Sequence, residues 1–151
     1  MKFICSVIIN SSKNNVAKLF GNPDFLGEYQ DGFLRKKHIS GEAGKEGSIS
    51  KMYYKMGKGE MELTETILKN ELPNSFSAFY FHKHTENTMT STFITLDENI
   101  TELSAEIDYT ALKGFMVKII AFLFPSFFKK QVQKWLKNFK VFVEKQSNTV
   151  N

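Results

Sequence analysis

Cysteine and tryptophan each occur once among the 151 residues. A lone Cys5 excludes an internal disulfide and a cysteine-rich metal site. It also suits a reducing cytosol, and its apolar neighbours give it the character of an inert core thiol. Phosphate-cradling loops are missing: "GEAGKEG" and "GKG" lack the required order and read as turns. Histidine is scarce. His82 and His84, two apart on an expected strand, could face one metal ion, but no third ligand is evident and His38 stands alone. Neither a metal nor a cofactor is expected, and no catalytic motif is present.

Long apolar runs are also absent. The stretch from Phe3 to Ile9 is short, is interrupted by Ser6 and lacks a small-residue cleavage pattern, while Cys5 comes too early for lipoprotein processing. It reads as a strand, and the protein as unexported and cytoplasmic. A membrane-spanning helix needs about 20 apolar residues. The greasiest segment, 114–128, contains Lys118 and, near its end, the helix-breaking Pro125, so no integral membrane segment is expected. Acids are nearly missing from the C-terminal part: Lys113 to Lys145 holds eight lysines and one carboxylate, Glu144. Such asymmetry marks a nucleic-acid or membrane surface, or one solvated helix face. The lysines lack an interleaved aromatic platform, so nucleic acid is not an expected partner.

What is abundant is phenylalanine, 15 of the chain's aromatic residues. Phe carries no polar atom, so much apolar surface must be hidden in a core or around a ligand. The length suits one domain, 1–151, with a core of its own.

Periodicity orders the chain. Phe3, Cys5, Val7 and Ile9 alternate as in a strand. Ser11 or Ser12 can cap a short helix presenting Val16, Leu19 and Phe20, ended by Gly21. Asn22-Pro23-Asp24 starts a second short helix. From Phe33 to Tyr109 six strand-like segments follow, separated by short turns, one of them at Glu86-Asn87. With no helix between them they form an antiparallel meander. The last segment sorts cleanly, with Leu103, Ala105, Ile107 and Tyr109 opposite Glu102, Ser104, Glu106 and Asp108. "FSAFYFHKH" does not sort, and the facing of residues 76–84 stays open.

The C-terminal segment carries a stripe at helical spacing: Phe128, Val132, Trp135, Leu136, Phe139 and Val143. Burying it contributes on the order of 10 kcal/mol before entropy is subtracted. A sheet with one dry face needs a cover, and this is the one helix long enough to supply it. The piece before Pro125 is apolar on nearly all sides, which predicts burial, or a lid beside something apolar that is not protein.

The order of elements resembles the helix-grip fold of the START-related, or SRPBCC, superfamily, which includes the birch pollen allergen and polyketide cyclase/dehydrase-like proteins. "VIINSSKNNVAKLFGNPDFLGEYQDG" is similar to that family's opening, with Tyr29 where many members have Trp. "MELTETILKNELPNSFSAFYF" resembles its strand-Pro-strand passage. "FFKKQVQKWLKNFKVFVEK" resembles its closing helix, with Leu136, Asn138 and Lys140 at its heart. The resemblance implies an α+β fold of order β-α-α-β6-α, in which a curved antiparallel sheet wraps around a long C-terminal helix. It further implies a deep cavity between sheet and helix for a lipid, polyketide or other apolar molecule. Met52, Tyr54, Met56, Met61, Leu63, Phe93, Ile107, Tyr109, Met116, Val132 and Trp135 are the expected lining, or else simply fill the interior.

Glu65 is the polar residue of most interest. It shares an apparently dry strand face with Met61, Leu63 and Ile67. A carboxylate there needs a partner, such as Tyr54 or Tyr109, or has its proton affinity raised. Three functions are compatible with these residues. The first is a carrier of a small hydrophobic or amphipathic ligand. The second is a cofactor-independent cyclase or dehydratase using Glu65 and a tyrosine in the same cavity. The third is a module docking on a protein or membrane surface through the Lys-rich helix and the Phe-rich lid.

Overall fold

Residues 1–148 are described by a computed structural model. Their order is β1 (Lys2–Ile9), α1 (Lys13–Phe20), a 3-10 turn (Pro23–Phe25), α2 (Leu26–Tyr29), β2 (Phe33–Ser40), β3 (Ile49–Met56), β4 (Gly59–Glu71), β5 (Ser75–His82), β6 (Thr85–Asp97), β7 (Ile100–Leu112), α3 (Phe115–Leu123) and α4 (Ser126–Asn148). The strands form one antiparallel sheet in the order β1-β7-β6-β5-β4-β3-β2. The expected β-α-α-β6-α arrangement is therefore present, with the short α3 added before the long helix.

Local chemistry sets the helix ends. Ser12 Oγ accepts from Asn15 N at 3.3 Å and caps α1; Asn22 Oδ1 accepts from Asp24 N at 3.0 Å and starts the 3-10 turn, with Pro23 in its first position. Gly57, at φ +57°, occupies the first position of the two-residue β3–β4 turn, a backbone that glycine adopts without strain. Register shifts at β2/β3, β4/β5 and β6/β7 insert extra residues that bend the strands. The sheet thereby curls around its dry face.

One expected turn is not a turn. Glu86 and Asn87 lie inside β6, and the chain reverses at Lys83-His84 instead. Asn87 pairs with Tyr80 on one side and Tyr109 on the other. Pairing along both edges outweighs the weak strand preference of one Asn.

α4 is fastened to β1, an edge strand whose outer backbone groups have no strand partner. Gln133 Nε2 donates to Ser6 O at 2.9 Å, Lys140 Nζ donates to Ile8 O at 2.6 Å, and Asn10 N donates to Glu144 Oε1 at 2.9 Å. Helix side chains thus satisfy the open edge that would otherwise invite another strand. The opposite edge, β2, is protected differently, by its register shifts and by Arg35, Lys36 and Lys37. Asn138 Nδ2 donates to Tyr29 O at 3.1 Å and ties α4 to α2.

The core fills the space between α4, the two short helices and the β1–β7–β6 side of the sheet. Phe139 lies 4.8 Å from the Tyr29 ring and 5.9 Å from Phe20, while Phe20 lies 5.1 Å from Phe93. Phe142, outside the expected stripe, is buried as well, against Phe25. Phe139 is 1% exposed, whereas Val141, two residues on and on the opposite side of the helix, is on the surface. Phe139→Ala should therefore cost about 3–5 kcal/mol of unfolding free energy in a denaturant titration. Val141→Ala should change it by less than about 0.5 kcal/mol.

Candidate functional site

Strand pairing places a polar row on the inner face of an otherwise apolar sheet. Tyr109, Asn87, Tyr80, Glu65 and Ser50 are successive cross-strand neighbours from β7 to β3. The row above it holds Ile107, Met89, Ala78 and Ile67. The row below runs from Leu63 through Met52 to Lys36. The open question of residues 76–84 is thereby answered: Phe76, Ala78 and Tyr80 face inward, and Phe79 and Phe81 outward.

Glu65, only 5% exposed, is the centre of this row. Lys36 Nζ donates to its Oε1 at 2.7 Å, and Tyr80 Oη donates to its Oε2 at 2.9 Å. Neither Tyr54 nor Tyr109, the partners expected from the sequence, reaches it. The phenol of Tyr54 instead donates to Gln30 Oε1 at 2.7 Å, and its ring stacks on Trp135 with centroids 5.8 Å apart. A buried carboxylate with one ammonium and one phenol is a satisfied group rather than an isolated charge.

The phenols report how dry the interior is. Burial pushes the Tyr80 hydroxyl well above its ordinary range, and the Glu65 charge beside it raises it further. The Tyr54 and Tyr29 hydroxyls are raised by the same two causes. Burial alone pushes Tyr109 up to about 12. Burial also raises the Cys5 thiol, in keeping with an unreactive core residue.

Met61, Leu63, Tyr80, Met89, Tyr109 and Trp135 face inward yet are only half-buried. These side chains point into the molecule, pack against the core and keep some accessible surface. At the β5–β6 turn Lys113 N donates to His84 O at 2.7 Å and brings the start of α3 alongside. Tyr109 and Phe128, with ring centroids 4.9 Å apart, pack together beneath the start of α4. Trp135 Nε1 is buried without a hydrogen-bond partner, and such a donor favours any acceptor that can approach it.

The expected lining divides into three groups. Met52, Tyr54, Phe93, Ile107 and Val132 are buried on the inner side, and Met61, Leu63, Tyr109 and Trp135 face inward and are half-buried. Met56 and Met116 do neither, being 61% and 66% exposed. Met56 ends β3 beyond the reach of α4, and Met116 lies on the outer side of α3. Two shallow concavities are also on the outside: one of about 350 Å³ along α3 and one of about 390 Å³ beside α1. Neither is the deep cavity implied by the resemblance, because aromatic rings occupy much of the space between sheet and helix. His82 and His84 come together, with ring centroids 5.3 Å apart, but His82 ends β5 and His84 lies in the turn. Among the described residues no cluster of three metal-ligating side chains includes them.

Lys36, Tyr80, Asn87, Met89 and Gln30 escape sequence reasoning. Lys36 stands in a basic run that reads as solvated, and Asn87 reads as a turn. The phase of β5 is what would have revealed Tyr80.

Solved structures share this architecture from end to end. A protein from Thermus thermophilus superposes with TM-score 0.78 at 14% identity, covering 97% of this chain and 99% of its own. An aromatase/cyclase from a Streptomyces species gives TM-score 0.80 at 8% identity, covering 97% of this chain and 95% of its own. A START superfamily protein from Mycobacterium smegmatis gives TM-score 0.64 at 10% identity, covering 90% and 97%. The chain has the helix-grip fold. No family model matches it, and no curated protein matches its sequence. Among the described residues no helix is long and apolar enough to cross a membrane.

Two predictions follow from the polar row. Lys36→Met should lower stability by about 1–3 kcal/mol, because Glu65 keeps only Tyr80. Glu65→Gln should cost less, since it frees Lys36 to reach water. The double variant should recover part of the loss, with a coupling of at least about 1 kcal/mol in a double-mutant cycle; strictly additive values would show the pair to be uncoupled. The second concerns alkaline pH. A phenol whose folded pKa exceeds its unfolded value of 10.0 contributes stability that is present below pH 10 and lost above it. Unfolding free energy should fall as Tyr109 passes from pH 10 toward about 12, and Tyr109→Phe should flatten part of that slope.

Proposed function

We propose that the protein binds a small hydrophobic or amphipathic molecule, of the lipid or polyketide-like class, between the sheet and α4. The carrying observation is the partly half-buried inner face, apolar on either side of a polar row centred on a satisfied Lys36–Glu65–Tyr80 group. An apolar body would lie against Met61, Leu63, Met89 and Trp135, and a polar end would exchange hydrogen bonds with the central row. Met side chains re-pack at small cost, and a guest could enter as they and the stacked Tyr54–Trp135 pair shift. The structural neighbours support such a use of this fold without naming a ligand, since one fold hosts many functions. The setting proposed is the reducing cytosol, with no metal or cofactor needed for binding.

A second reading draws on the same group. Glu65 lies within hydrogen-bonding distance of a proton-bearing phenol and an ammonium, so it could accept a proton from a bound substrate while Tyr80 or Lys36 supplies one. Turnover of a polyketide-like substrate that vanishes in Glu65→Gln, with binding retained, would favour this reading.

Binding is tested by passing the purified protein through cell extract, repurifying it and weighing it by native mass spectrometry. The wild type should retain a small apolar guest. Leu63→Trp, which enlarges a side chain on the inner face, should retain at least tenfold less. A wild type that returns empty, or a Leu63→Trp variant loaded to the same degree, would contradict the proposal.

A further inference from the structure

α3 is not buried. Phe122 is 84% exposed, and Phe115, Met116, Leu123, Phe124 and Phe127 are also on the surface. Of the two expectations for this segment, burial fails for all but Val117, Ile119, Ile120 and Ala121, which are partly covered; contact with something apolar that is not protein remains. A bare cluster of this size costs free energy in water and marks a contact surface.

The sequence that flanks it carries one sign of charge. The sequence holds no Asp or Glu between Asp108 and Glu144. Lys118 sits within the apolar groove along α3, beside Phe115, Ile119 and Phe122. Lys129 and Lys130 follow the α3–α4 elbow. None of these three lysines pairs with a carboxylate among the described residues, whereas Lys113, Lys134 and Lys140 do.

We infer that the α3–α4 elbow docks on an anionic lipid bilayer surface. Nine residues of α3 span roughly 13 Å, a little under half of the hydrocarbon thickness, so the helix can lie in the interface but cannot cross it. The exposed rings and Leu123 enter the acyl boundary, while Lys118, Lys129 and Lys130 stay at the level of the phosphates. A second copy of the chain fits the patch poorly, because a two-fold contact would bring the same unpaired lysines together. The docking surface is separate from the Glu65 row and does not depend on what lies between sheet and helix.

Cosedimentation with vesicles tests this. Wild type should bind vesicles of phosphatidylcholine plus phosphatidylserine, bind pure phosphatidylcholine weakly, and be released by salt. Lys129→Gln with Lys130→Gln should weaken binding about 25-fold, about fivefold for each lysine. Phe122→Ser with Leu123→Ser should abolish binding while the circular dichroism spectrum stays unchanged, since both side chains are exposed. Leu63→Trp should bind vesicles as the wild type does, so a failure at the inner site and a failure here are told apart. Any of three results would overturn the inference: no sedimentation of wild type, equal binding to neutral and anionic vesicles, or unchanged binding by the Ser variant. A dimer that the Ser variant abolishes, without vesicle binding, would assign the patch to self-association instead.

Discussion

The hydrogen bonds that fasten α4 to the free edge of β1 are the constraint on which the rest of the structure depends. Gln133 and Lys140 take the carbonyls of Ser6 and Ile8, and Glu144 takes the amide of Asn10. They hold the long helix beside one edge of the sheet while its apolar stripe faces the curve. Phe139, Phe142 and Val143 then pack solidly against the short helices at the C-terminal end. Toward the N-terminal end of α4 the packing thins to rings that keep accessible surface, and there the inner face of β3–β6 is left partly open. Solid packing at one end and looseness at the other arise from the same placement of the helix.

The polar row has to be understood within that asymmetry. A carboxylate placed at the closed end would be trapped among apolar rings. At the open end Glu65 gains an ammonium from the edge strand and a phenol from the neighbouring strand. Burial, with the Glu65 charge second, raises the phenols of Tyr80, Tyr54 and Tyr29 above their ordinary range. The interior thereby holds polar groups at fixed positions within an apolar wall, which is what a site needs to orient an amphipathic guest.

How far this could be read from the sequence depended on which physical signal each feature carries. β7 and α4 have unambiguous periods, because each buries one face and wets the other, and with them came the order of elements and the cover over the sheet. Glu65 stood out because a charge on a dry face is rare. Its partners did not, since Lys36 and Tyr80 are brought to it by pairing across several strands, and no local pattern encodes a register. Met56 and Met116 were misplaced for a related reason: side-chain chemistry suits an interior, but position at a strand end or on an outer helix decides. α3 shows the same limit, for an all-apolar segment predicts contact with something apolar without saying that the partner is the rest of the protein.

The chain's single tryptophan offers the most direct test, because Trp135 stacks on Tyr54, faces inward and is half-buried, and its indole N–H has no partner. Titration with a fatty acid or a fused-ring aromatic acid should shift Trp135 emission along a saturable curve reaching one guest per chain, and Glu65→Gln should change the affinity. A Trp135 signal that stays constant, or that drifts without saturating, would contradict a guest site between the sheet and the helix.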